Sequence, residues 1–148
     1  VVKDQIQEVR KITLEVLNSL GEYVLKSSTN TLYKRYAKMW IKMYNDFISN
    51  PLGADYLFFK APVLIIVTSE HPLNAGLASA NMKLMVDTLG LGTVFSGFFT
   101  RACEGDSKIK EFLGIEGNQN IVTCMVIGYP DVKYSRTAPR KMPNIIWK

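Results

Sequence analysis

Apolar positions at helical spacing open the chain. From Asp4 to about Lys26, the residues Ile6, Val9, Ile12, Leu14, Val16, Leu17 and Leu20 recur near a 3.6-residue period. This predicts an amphipathic helix with Asp4 as its cap and Gly21 as its end or weak point. A second helix is predicted from about Asn30 to Ser49, with Leu32, Tyr36, Met39, Trp40, Met43 and Phe47 as its apolar stripe and Lys34, Arg35, Lys38 and Lys42 opposite. Asn50-Pro51-Leu52-Gly53 stops it.

Beyond that break the pattern changes to short continuous apolar runs. Val63–Val67 is a continuous apolar run, β-branched except at Leu64, as in a strand buried on both faces, and is read as the central strand. A helix from about Asn74 to Leu89 follows, with Leu77, Ala78, Met82, Leu84, Met85 and Leu89 inward and Gly90 just past its end. Its small residues, Ala75, Gly76, Ala78, Ser79 and Ala80, permit another backbone to come close. Next come a glycine-bracketed strand in Gly90–Gly97, a helix near Ser107–Leu113 ended by Gly114, and an apolar strand at Ile121–Gly128. The remainder is basic, proline-rich and extended. The order of elements is that of an α+β fold, with helices around a modest sheet.

At 148 residues the chain suits one domain with one core, and 47 % apolar with 21 % charged residues excludes disorder and coiled coil. Eighteen Lys and Arg against thirteen Asp and Glu leave +5, too little to imply nucleic-acid binding without clustering. Tyr33-Lys34-Arg35-Tyr36 is read as a solvated helix face. Cys103, Cys124 and His71 are too few and too scattered for a metal site, and unpaired cysteines suit a reduced, cytoplasmic protein. The longest apolar run falls far short of the ~20 residues that span a bilayer, so no membrane association is expected.

Side-chain catalysis is not apparent. His71 precedes Pro72 in a loop without a nucleophile to partner it, and neither Glu15 with Glu22 nor Glu104 with Asp106 sits in apolar sequence that would shift a pKa. Two other features stand out, the strand between Gly92 and Gly97 and the basic Pro139-Arg140-Lys141. Glycines let a backbone approach a flat ligand, and arginine holds a phosphate, so a planar cofactor with a phosphate arm would use both. A tight turn and a solvated tail would produce the same residues.

The succession Phe59-Lys60-Ala61-Pro62-Val63-Leu64-Ile65-Ile66-Val67, Asn74-Ala75-Gly76-Leu77-Ala78-Ser79-Ala80-Asn81-Met82, Leu89-Gly90-Leu91-Gly92-Thr93-Val94-Phe95-Ser96-Gly97, Phe112-Leu113-Gly114-Ile115, Ile127-Gly128-Tyr129-Pro130 and Arg136-Thr137-Ala138-Pro139-Arg140-Lys141 resembles the nitroreductase family of flavoproteins. The resemblance implies a single α+β domain over 1–148 with a mostly antiparallel central sheet. It further implies a homodimer with an exchanged C-terminal arm that binds FMN between subunits. Electrons would pass from NAD(P)H to nitro compounds, quinones or a similar small acceptor. By the same resemblance, Val94, Phe95, Ser96 and Gly97 lie along the flavin's reactive edge, and Arg140, helped by Lys141, grips its phosphate. The flavin carries the chemistry, so no side chain is assigned as catalytic. Val1-Val2 resembles the end of the strand that follows the family's usual N-terminal, phosphate-binding portion, and the chain is expected to lack that portion and to hold FMN weakly. The alternative is a flavin-poor, non-catalytic dimer of the same fold.

Overall fold

A computed structural model describes residues 1–132, 135 and 139–148. Eight elements follow in order: α1 (Ile6–Ser27), α2 (Thr31–Ser49), β1 (Val63–Ser69), α3 (Pro72–Thr88), β2 (Gly92–Phe95), α4 (Gly97–Cys103), α5 (Lys108–Phe112) and β3 (Asn120–Gly128). The α+β expectation holds, with α4 as the one element that the periodicity did not announce.

The helical hairpin α1–α2 forms as the amphipathic pattern requires. Asn30 caps α2, its Oδ1 accepting from the N–H groups of Leu32 (2.9 Å) and Tyr33 (3.2 Å). The start of α1 differs from expectation, because Gln5 and not Asp4 occupies the cap position and contributes no side-chain bond. Gly21 does not end α1 either. A Cβ built there would lie 2.9 Å from the Ala37 carbonyl oxygen and 3.0 Å from Ile41 Cγ1, so the glycine is where the two helices touch. Along α2 only part of the expected stripe is inside: Trp40, Met43 and Phe47 are buried, joined by Ala37, while Leu32, Tyr36 and Met39 are exposed.

The sheet order is β1-β3-β2, antiparallel throughout. This corrects the reading of Val63–Val67 as the central strand. The last strand, β3, is the middle one, pairing Val63 with Ile127 on one side and Thr93 with Ile127 on the other. Among the described residues the outer edge of β1 meets only Val2, which bridges to Leu64 through bonds of 2.8 and 2.9 Å. That open edge explains why β1 is mostly half-buried while Cys124 to Ile127 are buried.

Strand alternation sends the two faces of the sheet into different cores. Leu64, Cys124 and Val126 join α1, α2 and α4, where Phe58 and Phe99 pack with ring centroids 5.8 Å apart. Met125 and Ile127 face α3 through Val86 and Met82. The orientation of α3 is the second correction. Ala75, Ser79 and Val86 are its buried residues, and Leu77, Leu84, Met85 and Leu89 point outward, each more than half exposed. Small residues let the helix sit close against β3, where the Ser79 hydroxyl meets that of Thr123 at 2.6 Å. The longer apolar side chains are left on the far side. Gly90, at φ 72°, ends the helix as expected.

The link between α2 and β1 is organised by one buried ion pair. Arg10 donates to the carbonyl oxygens of Pro51 (2.9 Å) and Ala54 (2.8 Å). Its Nε lies 3.2 Å from Asp55 Oδ1, an ionic contact whose N–H is not aligned as a hydrogen bond. Asp55 in turn accepts from the N–H groups of Leu57, Phe58 and Lys60 at 3.0, 3.0 and 3.2 Å.

Candidate functional site

The expected flavin-edge residues form one continuous corner where β2 turns into α4. The Ser96 N–H donates to the Cys124 carbonyl at 2.9 Å, extending the β2–β3 ladder by one residue. Its hydroxyl donates to the Leu57 carbonyl at 3.3 Å, tying the corner to the turn held by Asp55. Ser96 is thereby buried, whereas Val94, Phe95 and Gly97 are exposed. No heavy atom outside the immediate chain lies within 4 Å of a Cβ built on Gly97. The corner thus offers an open, flat stretch of backbone fixed from behind by a buried serine, which suits a planar ligand lying against main chain.

Behind it, Phe99, Ala102 and Cys103 of α4 are buried in the main core. Phe98 packs edge-on against Trp40 and Tyr36, with centroids 6.0 and 6.1 Å away. The aromatic part of α2 therefore stands beside the corner. Arg140 and Lys141 are exposed in an extended segment, and no hydrogen bond or ion pair among the described residues brings them to Val94–Gly97. Arg136, Thr137 and Ala138, from the same sequence block, lie outside the described residues.

No side-chain nucleophile or acid–base pair appears here. The thiols of Cys103 and Cys124 are both pushed up to about 12, first by burial and then by neighbouring negative charge, from Glu104 and from Cys103 respectively. Lys110 acts in the opposite direction on Cys103 without offsetting the burial. His71 is exposed at the head of α3, Glu22 and Glu104 are exposed, and Glu104 is paired with Arg101. Among the described residues no group of three or more His, Cys, Asp or Glu could hold a metal ion, and no helix is long and apolar enough to cross a membrane.

Beside the corner lies a groove of about 930 Å³, with Gly92, Thr93 and Val94 on one wall and Phe59 to Pro62 on another. Phe59 and Lys60 were not singled out as site residues in the sequence, since their backbone geometry has no glycine to signal it.

The nitroreductase family model matches residues 2–129, nearly the whole described fold. The chain belongs to the nitroreductase family. A solved structure of a nitroreductase with bound FMN from Bacteroides fragilis NCTC 9343 is similar in fold, with a TM-score of 0.56 and 19 % identity over 92 % of this chain and 71 % of that one. No curated protein matches the chain significantly. The match of this nitroreductase-family chain begins at Val2, which agrees with Val2 already pairing into the sheet.

Proposed function

We propose that the chain is an FMN-dependent oxidoreductase that takes electrons from NAD(P)H and delivers them to a nitro compound, quinone or similar small acceptor. The observation that carries this reading is the corner Val94–Gly97, an open backbone shelf pinned through Ser96, in a chain whose family model match runs through it. FMN, when bound, supplies the hydride and electron chemistry. The residues that would hold it are Val94 to Gly97 along the ring, with Arg140 and Lys141 as cations for the phosphate. The chain's own contribution is orientation. Ser96 fixes the shelf, and the N–H groups of Thr93 and Phe95 alternate away from β3 toward the open side of β2. Phe98, Trp40 and Tyr36 form an apolar wall that keeps water from one flank.

A homodimer is part of the same reading, and two features support it. The outer face of α3 carries Leu73, Leu77, Leu84, Met85 and Leu89 into solvent, an apolar stripe of the kind that a second copy covers. The C-terminal arm exposes Ile146 and Trp147, and its Asn144–Trp147 segment is paired to no strand among the described residues. Addition of that arm to a partner's sheet would pair its backbone and bury its apolar side chains.

The test is an absorbance spectrum of the purified protein with and without added FMN, followed by anaerobic NADH or NADPH. Flavin bands that bleach with the nucleotide and return with a quinone are expected. For Arg140→Ala, FMN affinity should fall by about 1.5–3 kcal/mol while riboflavin affinity stays unchanged. A chain that takes up no flavin at millimolar FMN would overturn the reading in favour of a non-catalytic dimer.

A further inference from the structure

Asp55 holds four consecutive backbone N–H groups of the turn that follows it. Its Oδ1 accepts from Leu57 and Phe58 at 3.0 Å each, its Oδ2 from Lys60 at 3.2 Å, and its own carbonyl from Phe59 at 3.1 Å. So held, the turn carries two consecutive side-chain-bearing residues in the left-handed region, Phe59 at φ 56° and Lys60 at φ 55°. Bulky residues avoid this conformation and persist in it where the surroundings over-determine the backbone. Neither strained residue gains a buried side chain in return, since both are exposed. What the shape of the turn does place is the pair of residues before them.

Leu57 and Phe58 are both buried, and both meet the β2–α4 corner from behind. The Leu57 carbonyl accepts from the Ser96 hydroxyl at 3.3 Å. The Phe58 ring packs on Phe99 with centroids 5.8 Å apart, and both rings are fully buried. These contacts flank Gly97, one falling a residue before it and the other two residues after. Gly97 has no side chain to anchor it, and open space surrounds the position of a Cβ there. Its place is therefore set through its neighbours by residues 57 and 58, whose N–H groups share a single carboxylate oxygen. Arg10 steadies that carboxylate from α1, with Nε 3.2 Å from Oδ1 and the rest of the guanidinium bonded to the Pro51 and Ala54 carbonyls.

We infer that Asp55 is a positioning residue for the Ser96–Gly97 shelf: acting through Leu57 and Phe58, it fixes the backbone against which a flavin ring lies. This rests on the oxidoreductase reading for the identity of the ring, but not for the fixing of the shelf. One hydrogen bond behind the shelf is worth a few-fold in ring affinity, and losses that pass through the same chain of contacts do not multiply.

Two readouts test this, each taken where circular dichroism shows the variant folded. One is hydrogen–deuterium exchange of the Val94–Phe99 backbone in flavin-free protein, and the other is fluorescence titration with FMN and with riboflavin. For Ser96→Ala, which leaves the ion pair intact, Val94–Phe99 should exchange about 3- to 10-fold faster and both flavins should bind about 3- to 10-fold more weakly. Riboflavin should lose as much as FMN, because the shelf meets the ring and not the phosphate. Asp55→Ala should behave alike, and the double variant should bind no more weakly than the worse single one. In Asp55→Asn the amide oxygen still accepts from Leu57 and Phe58, so both readouts should stay within about 2-fold of wild type despite the lost charge. A merely structural Asp55 would leave both readouts unchanged in every folded variant. Unchanged exchange and ring affinity in Ser96→Ala overturn the inference even where Asp55→Ala does not fold, and so does an Asp55→Asn protein as impaired as Asp55→Ala. Wild type that takes up neither flavin, while Ser96→Ala still exchanges faster, would uphold the fixing of the shelf and sink the oxidoreductase reading instead.

Discussion

Replacing Asp55 by alanine removes the anionic half of the buried pair with Arg10. The Arg10 side chain is 3 % exposed and that of Asp55 is fully buried, so neither charge can turn to water when its partner goes. Breaking such a pair costs about 3–5 kcal/mol. The same substitution strips the acceptor from three N–H groups, two of them on the buried residues Leu57 and Phe58, at about 1 kcal/mol or more for each donor that stays dry. The effects share one site and do not add fully, which places the loss at about 4–6 kcal/mol against the 5–15 kcal/mol that holds a typical domain together. For Asp55→Asn the loss should be smaller, about 3–4 kcal/mol, since the amide oxygen can still accept from Leu57 and Phe58. Urea unfolding followed by far-UV circular dichroism measures both, and the slope checks that the transition remains two-state. Because the pair is buried, the losses should be nearly the same at low and high salt. A midpoint for Asp55→Ala within about 1 kcal/mol of wild type at unchanged slope would refute this account of the turn.

Three further outcomes are expected. Gly21→Ala pushes a methyl to 2.9 Å from a backbone carbonyl on α2, which cannot swing aside, and should cost about 1–3 kcal/mol despite alanine's better helix propensity; a stabilised variant in thermal melts would contradict the close crossing. The thiols of Cys103 and Cys124 titrate near 9 when unfolded and near 12 when folded, so both states hold the proton below about pH 8 and only the unfolded state releases it above. Stability should accordingly decline as pH rises from about 9 toward 12, less steeply in Cys124→Ala, and equal slopes in denaturant midpoint against pH would count against it. Deletion of Pro143–Lys148 should yield monomer or aggregate, and a truncated protein that sediments as a dimer with the wild-type Tm would rule out arm exchange.

Local signals were readable in the sequence, and relationships between distant segments were not. Asn30 and Gly90 act where their chemistry says they should, because a cap needs nothing beyond its own helix. The β-branched run at Val63–Val67 identifies a strand, yet an apolar run carries no information on whether a partner lies on each side, and β3 took the middle position. In α3 the large apolar residues were assigned inward by size, whereas closeness to β3 selects Ala75 and Ser79, a choice made by the sheet and not by the helix. Ser96 and its neighbours were singled out by resemblance, but the bond from Ser96 to the Leu57 carbonyl, and the dependence of that turn on Asp55 and Arg10, join parts of the chain that no short motif links. Phe59 and Lys60 were missed as a strained pair because the left-handed conformation is usually announced by glycine.

The middle position of β3 has a kinetic consequence. Val63 finds Ile127 and Ser69 finds Asn120, so every hydrogen bond of the β1–β3 ladder spans most of the second half of the chain. Among the described residues the one other strand, β2, pairs with β3 alone. During synthesis the helical hairpin can close as soon as its second helix is made, but β1 and β2 must wait, unpaired, until the final strand arrives between them. The sheet is thus all-or-none in time as well as in space: when β3 leaves, both neighbours become free edges at once, so the two ladders should open together and not one by one.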